Sequence, residues 1–330
     1  MPASVPRSGS VAIVSGLPFV AALFLAGCAV APLPPPAPPA ATGGGPPPLL
    51  VVTTVLPVGL FTHAVAGSCA QVESLLSANA DLHQLPVTPQ LIARLQGADV
   101  VVFNGLGLEA PLQRLLAADG SRGPRRIEAA AGVDPLPLEP QSHNSHSHAH
   151  DAHPHGHAAN PHVWLDPRRA AAQVRTIRAG LVAADPVRAA CFRRNADRFL
   201  AELERLDGDL ARQLAPYAGR PMVSFHDLAP YFAQRYGLRS ESLVELPEQN
   251  PSVADLRRLA AELRRQRVQG LLVDPQNERR SFLSLAEDLK LKLLPFDPIE
   301  RASEAQTRRP SHYLEAMRRN GTAVVSSFGP

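Results

Sequence analysis

The segment DPVRAACFRRNADRFLAELERLDGDLARQLAP, residues 185–216, decides the architecture. Asp185 is a favourable helix N-cap, and Pro186 a favourable first helical residue, because an amide in that position needs no intrahelical partner. Phe192, Ala196, Phe199, Leu203, Leu206, Leu210 and Leu214 then recur at steps of three and four, which a 3.6-residue period gathers into one apolar stripe. The spacing predicts a helix of about 30 residues, on the order of 45 Å long, stopped by Pro216. A coiled-coil dimerisation helix would show similar spacing. The position of the segment, between two strand-and-helix series, reads instead as a brace joining two lobes.

On the N-terminal side, residues 49–54 (LLVVTT) and 100–103 (VVVF) read as buried strands, with a helical segment over 88–96 between them. On the C-terminal side, strands are expected at 222–225, 271–273 and 293–296, separated by helical segments 228–236, 252–266 and 279–290. Strands alternating with helices argue for parallel sheets covered on both faces. The expected class is therefore α/β, two lobes with parallel sheets joined by one long bridging helix.

Further out, the chain start reads as an export signal. Arg7 precedes an apolar stretch from about Val11 to Leu25, too short for a permanent membrane span and suited to a cleaved signal segment. Leu25-Ala26-Gly27-Cys28 closes it and resembles the bacterial lipoprotein signal, which implies that Cys28 is lipidated. Nine of the 34 prolines lie within 31–48, a semi-extended spacer that would hold the folded part off a membrane. The expected parts are 1–27 signal peptide, 28–48 lipidated cysteine and tether, 49–184 first lobe, 185–216 bridging helix and 217–330 second lobe. Cys69 and Cys191 either pair in an oxidising compartment or remain buried thiols; the sequence leaves both open.

A formal charge of +3 over 330 residues, without a dense Lys/Arg stripe, argues against nucleic acid as a partner. Histidine is the unevenly distributed residue. Seven of the 12 lie in one loop, residues 141–159: His143, His146, His148, His150, His153, His155 and His157. That segment has no hydrophobic period, and its imidazoles suit weak, multivalent zinc capture.

Of the other five, His83 precedes the helix at 88–96, His162 sits in Asn160-Pro161-His162-Val163-Trp164-Leu165-Asp166-Pro167, and His226 follows the strand at 222–225. Asp297 follows the strand ending at Phe296. Ligands in open α/β sheets gather beyond the carboxyl ends of strands. Three imidazoles and a carboxylate there make a plausible four-ligand set for a borderline cation such as Zn²⁺.

Several motifs in order carry a resemblance from about Leu49 to the C-terminus. They are Thr53-Thr54, the His83 segment with Thr88-Pro89, Ala98 through Glu109, the His162 segment, Phe225-His226-Asp227, Asp274-Pro275-Gln276 and Phe296-Asp297-Pro298. Together they resemble the metal-binding proteins of bacterial zinc and manganese ABC transporters, the ZnuA/TroA-like family. The resemblance implies a metal site in the cleft between lobes, with His83 and His162 from the first lobe and His226 and Asp297 from the second. Histidine at 226 favours zinc over manganese, where a glutamate is frequent. The sequence departs from the family at Leu82, Leu85, Pro86 and Val87 around the first ligand, and at Asp274, which becomes an alternative carboxylate.

The resemblance also implies a monomeric binding protein, membrane-attached through its lipid, serving an ABC permease and its ATPase. The chain itself has no P-loop. A manganese carrier of the same family, a periplasmic zinc buffer and an adhesin are the alternatives. A zinc hydrolase is disfavoured: there is no H-E-x-x-H, only Asp227 and Glu248 offer a spare general base, and a fourth protein ligand closes the metal shell.

Overall fold

A computed structural model describes residues 47–76, 88–118, 123–137, 159–226, 229–244, 252–266, 268–275 and 280–329. Cys28 with the tether up to Pro46, His83 with its neighbours Leu82 to Val87, the seven loop histidines, Asp227 and Glu248 lie outside them.

The first lobe runs β1 (Leu50–Thr53), α1 (Leu56–Ala66), β2 (Gln71–Ser74), α2 (Pro89–Gln96), β3 (Val100–Phe103), α3 (Ala110–Ala118) and β4 (Arg125–Glu128). Its sheet is wholly parallel, in the order β2-β1-β3-β4. Two helices follow, α4 (Pro167–Ala184) and α5 (Ala189–Leu214). The second lobe runs β5 (Pro221–His226), α6 (Pro230–Arg235), β6 (Arg239–Val244), α7 (Val253–Arg265), β7 (Gly270–Val273), α8 (Arg280–Leu289), β8 (Lys292–Pro295), α9 (Glu304–Thr307) and α10 (Ser311–Ser327). Its sheet repeats the pattern, β6-β5-β7-β8, again parallel.

Alternation within strands explains why both faces of the first sheet are covered. In β1, Val51 faces the central core and Val52 the outer cluster; in β3, Val100 and Val102 face inward and Val101 outward to Leu91, Leu95 and Leu112. The expected strands 49–54, 100–103, 222–225, 271–273 and 293–296 match β1, β3, β5, β7 and β8, and the four expected helical segments match α2, α6, α7 and α8. Unexpected are β2 (QVES), β4 (RRIE) and β6 (RSESLV), all edge strands and polar in composition.

The bridging segment consists of a 3-10 turn Pro186–Arg188, 26 residues of α5, and a second 3-10 turn Ala215–Tyr217. Asp185 accepts from the Arg188 backbone N–H, as an N-cap should. All seven stripe residues are buried, against α1, α4 and α10 of the same chain. The stripe thus has its cover within the same chain, and each fully buried leucine contributes about 1.5–3 kcal/mol.

The core around α5 is continuous from Val51 and Phe61 in the first lobe to Phe296 and Tyr313 in the second. On its polar flank, Asp207 of α5 accepts from Arg168 of α4 at 3.1 Å and from Arg235 of α6 at 2.8 Å, tying three helices together. Burial pushes the Asp207 carboxyl up, but hydrogen bonds from Arg235 and Arg168 outweigh it and hold it below the usual range.

Cys69, just after α1, is disulfide-bonded to Cys191 in the first turn of α5, with Cα atoms 6.6 Å apart. The bridge pins the first lobe to the brace. Beside it Asn195 donates from Nδ2 to the carbonyls of Val65 and Ala66, closing the end of α1. Gly67 at φ +54° leaves room for that amide, since a Cβ there would stand 2.5 Å from Asn195 Nδ2.

Candidate metal centre

The two sheets place their topological switch points where β1 meets β3 and where β5 meets β7; among the described site residues, His226 ends β5, Asp297 follows the edge strand β8, and His162 precedes the 3-10 turn Val163–Leu165. His226 is the last residue of β5, in register with Val244 of β6; its backbone alone is described. His162 and Asp297 are described in full, so the structure brings half of the expected ligand set into view.

His162 is held from beneath. Glu109 is fully buried and accepts from Thr54 Oγ1 at 2.6 Å, from Asn104 N at 2.8 Å and from Gly105 N at 3.1 Å, locking the ends of β1 and β3 together. Burial raises its carboxyl above the ordinary value despite these donors. Asn104 in turn donates to the carbonyl of Pro161 at 3.1 Å and accepts from Gln173 of α4 at 2.9 Å. The chain therefore cannot shift at Pro161 without breaking a buried amide network.

His162 is 4% exposed and its two ring nitrogens have distinct tasks. Asn160 Oδ1 accepts from the His162 backbone N–H at 3.0 Å, which identifies that atom as the oxygen, and lies 2.9 Å from Nδ1. Nδ1 then carries a proton, and in the neutral ring the lone pair is on Nε2. That nitrogen faces Glu300 Oε1 at 3.1 Å. Two acceptors at this distance need a cation or a proton to reconcile them. Ligands of a tetrahedral zinc at about 2.0–2.2 Å stand roughly 3.4 Å apart, close to the observed separation.

Glu300 was not among the residues the sequence pointed to. It lies three positions beyond Asp297 in the same FDPIE segment, and only the carboxylate directly following the strand stood out. The turn connecting them is shaped tightly. Asp297 exchanges backbone hydrogen bonds with the Asn320 side chain at 2.8 and 2.7 Å, its Oδ1 accepts from Ile299 N at 2.8 Å, and its Oδ2 stands 3.5 Å from Arg319.

Ile299 has φ +61°, a left-handed conformation rare for a β-branched residue and worth about 1–3 kcal/mol of strain. What enforces it comes from both lobes: Ile299 is fully buried, and the Trp164 indole donates to Pro298 O at 2.8 Å. Trp164 also stacks edge-on against His162, with centroids 5.3 Å apart, and its carbonyl accepts from Tyr313 at 2.6 Å. One tryptophan thus sets the His162 segment against the Glu300 turn.

Asp166 caps α4 by accepting from Arg168 N at 2.8 Å and pairs with Arg169 at 2.7 Å. The base of the histidine loop adjoins this site. Pro137 and Ala159 form an isolated antiparallel bridge, and Tyr231 of α6 accepts from Leu136 N at 2.9 Å and donates to Asn160 O at 2.6 Å. The described residues flanking the histidine segment, Pro137 and Ala159, are therefore held together beside the segment bearing His162.

Comparison with known proteins agrees with the two-lobed fold. The profile of the family described as ZnuA, zinc-uptake complex component A, periplasmic, matches residues 51–327. The zinc-binding lipoprotein AdcA of Streptococcus pneumoniae is 29% identical over 272 residues, 82% of this chain. This chain spans about half of that relative's length, 54%. The high-affinity zinc uptake system protein ZnuA of Bacillus subtilis is 28% identical over 284 residues, covering 83% of this chain and 86% of the relative. Among solved structures, the Zn(II)-bound ZnuA-like domain of Streptococcus pneumoniae AdcA superimposes with a TM-score of 0.72 at 27% identity, covering 86% of this chain and all of that domain.

Proposed function

The chain belongs to the zinc-uptake component A family, and on that premise we propose that it is an exported binding protein that captures zinc and delivers it to an ABC-type importer. The observation that supports this most is the His162–Glu300 pair: a buried imidazole whose proton is committed to Asn160 turns its lone pair onto a carboxylate 3.1 Å away. His83 and His226 complete the set, with the carboxylate supplied by the Asp297–Glu300 turn. Glu300 is the oxygen ligand on the His162 side, and Asp297 shapes the turn that presents it.

Imidazole-rich ligation selects zinc over manganese. Four protein ligands close the shell, which suits binding and not hydrolysis. The loop histidines, at whose base His162 sits, collect metal weakly and raise its concentration at the cleft. Cys28 carries the lipid, the proline-rich spacer gives reach, and a permease with its ATPase energises import. The core shared across α5 resists rigid-body closure, so uptake and release proceed through the loops bearing His83 and His162.

Deleting the gene in its host should produce a growth defect in chelator-treated medium that zinc repairs and manganese does not. Normal growth under zinc limitation, or repair by manganese alone, would overturn the transport reading.

A further inference from the structure

The tripeptide Asn160-Pro161-His162 does more than supply a ligand. Pro161 fixes its own φ and disfavours helical backbone at Asn160, so the Asn160 side chain can turn back over the amide of His162. Its Oδ1 accepts from that amide at 3.0 Å, the hydrogen bond of an Asx-turn, and the same oxygen lies 2.9 Å from Nδ1 of the same histidine. One oxygen therefore grips both the backbone and the ring of residue 162. It fixes the rotation of the imidazole as well as its place.

The grip is itself anchored. Asn160 is fully buried; its backbone N–H donates to Leu136 O at 2.9 Å, and its carbonyl accepts from the Tyr231 hydroxyl at 2.6 Å. Tyr231 is also fully buried and comes from α6 of the second lobe, where its hydroxyl accepts in turn from Leu136 N at 2.9 Å. The backbone is thus tied down on both sides of the Asn160 side chain.

Two other ring states can be compared with the observed one. A ring flipped about its Cβ–Cγ bond would present carbon, in place of Nδ1, to Asn160 Oδ1, and carbon, in place of Nε2, to Glu300. The other neutral tautomer would set the Nδ1 lone pair against Oδ1 at 2.9 Å. Either change forfeits the bond to Asn160. The state that keeps it has Nδ1–H turned to Asn160 and Nε2 turned to Glu300.

We infer that Asn160 is a positioning residue for metal capture, setting the ring orientation and the tautomer in which His162 Nε2 can ligate. It acts through His162 and is not itself a ligand. The inference rests on the zinc reading above and deepens it, by naming the group that makes His162 competent.

The test compares wild-type protein, Asn160→Ala and Asn160→Asp, by zinc competition against a chromophoric chelator and by melting of resin-stripped protein. Asn160→Ala should weaken zinc binding about 10–100-fold, as loss of a partner behind a metal-bound imidazole does. Asn160→Asp keeps an acceptor for both N–H groups, and its charge strengthens the bond to a ring that carries metal. Zinc binding should therefore return to wild-type strength or exceed it. The metal-free melting midpoint of Asn160→Asp should fall all the same, because a carboxylate is then buried. A merely structural Asn160 would move affinity and stability together. Should Asn160→Ala fail to fold, nitrogen NMR of zinc-loaded wild-type protein decides the matter, with the proton expected on His162 Nδ1 and the metal on Nε2. Metal on Nδ1, wild-type zinc affinity in Asn160→Ala, or Asn160→Asp binding as weakly as Asn160→Ala overturns the inference while the zinc reading stands. Absence of tight zinc binding from the wild-type protein is a different result, which overturns the zinc reading and the role of Asn160 with it.

Discussion

Replacing Glu300 by glutamine should move two readouts in opposite directions. In metal-free protein with the His162 ring neutral and its one proton held at Asn160, Nε2 and Glu300 Oε1 set one acceptor against another at 3.1 Å. An amide NH₂ in place of the carboxylate oxygen converts that contact into a hydrogen bond, worth about 0.5–1.5 kcal/mol. For a folded unit of this size the melting midpoint should rise by about 1–4 °C. With zinc bound, the same change removes an anionic ligand. Outer-shell partners alone are worth about 10–100-fold in metal affinity, so losing a direct ligand should weaken zinc binding by more than about 100-fold. Melting curves of resin-stripped protein and competition against a chromophoric chelator give the two numbers. A variant that melts lower without metal and binds zinc as tightly as the wild type would refute the assignment of Glu300.

Other perturbations test the frame that holds the site. Cys191→Ser opens a loop spanning 122 positions and should cost about 3–5 kcal/mol, read by denaturant unfolding; an unchanged midpoint would show that the α1–α5 contact is held by packing alone. Leu203→Ala, on the fully covered stripe of α5, should lose about 2–5 kcal/mol, whereas a loss below about 1 kcal/mol would mean that the brace is loosely packed. Asp207 has its folded pKa below the unfolded value, so its stabilisation is present above about pH 4 and disappears as pH falls through the folded pKa. Asp207→Asn should therefore lower the stability plateau and flatten the acid limb. His63 and His312 are depressed by burial, His63 also by Arg308, so metal-free stability should already decline as pH falls below about 6.5. A flat midpoint from pH 7 to 5 would contradict that.

Much of the frame could be read from residue order because burial imposes pattern. The stripe from Phe192 to Leu214 had to face one way, and the runs at 100–103 and 271–273 had to be central strands, since only a strand covered on both faces is apolar at every position. The edge strands β2, β4 and β6 escaped for the converse reason: QVES, RRIE and RSESLV are half-solvated and carry no period that distinguishes them from loops. The Cys69–Cys191 bond depends on distance between residues far apart in sequence, which no local pattern encodes. At the site, His162 stood out by its motif, but Glu300 did not. Its approach to His162 depends on a left-handed Ile299 and on Trp164 reaching across to Pro298, both tertiary facts.

The most direct test is the zinc stoichiometry of metal-depleted protein lacking residues 141–159, measured against a chelator of known affinity, with and without His162→Ala. One tight equivalent should survive removal of the loop and vanish with His162. Loss of all tight binding on loop deletion, or an undiminished tight equivalent in the His162→Ala variant, would contradict a metal centre built on His162.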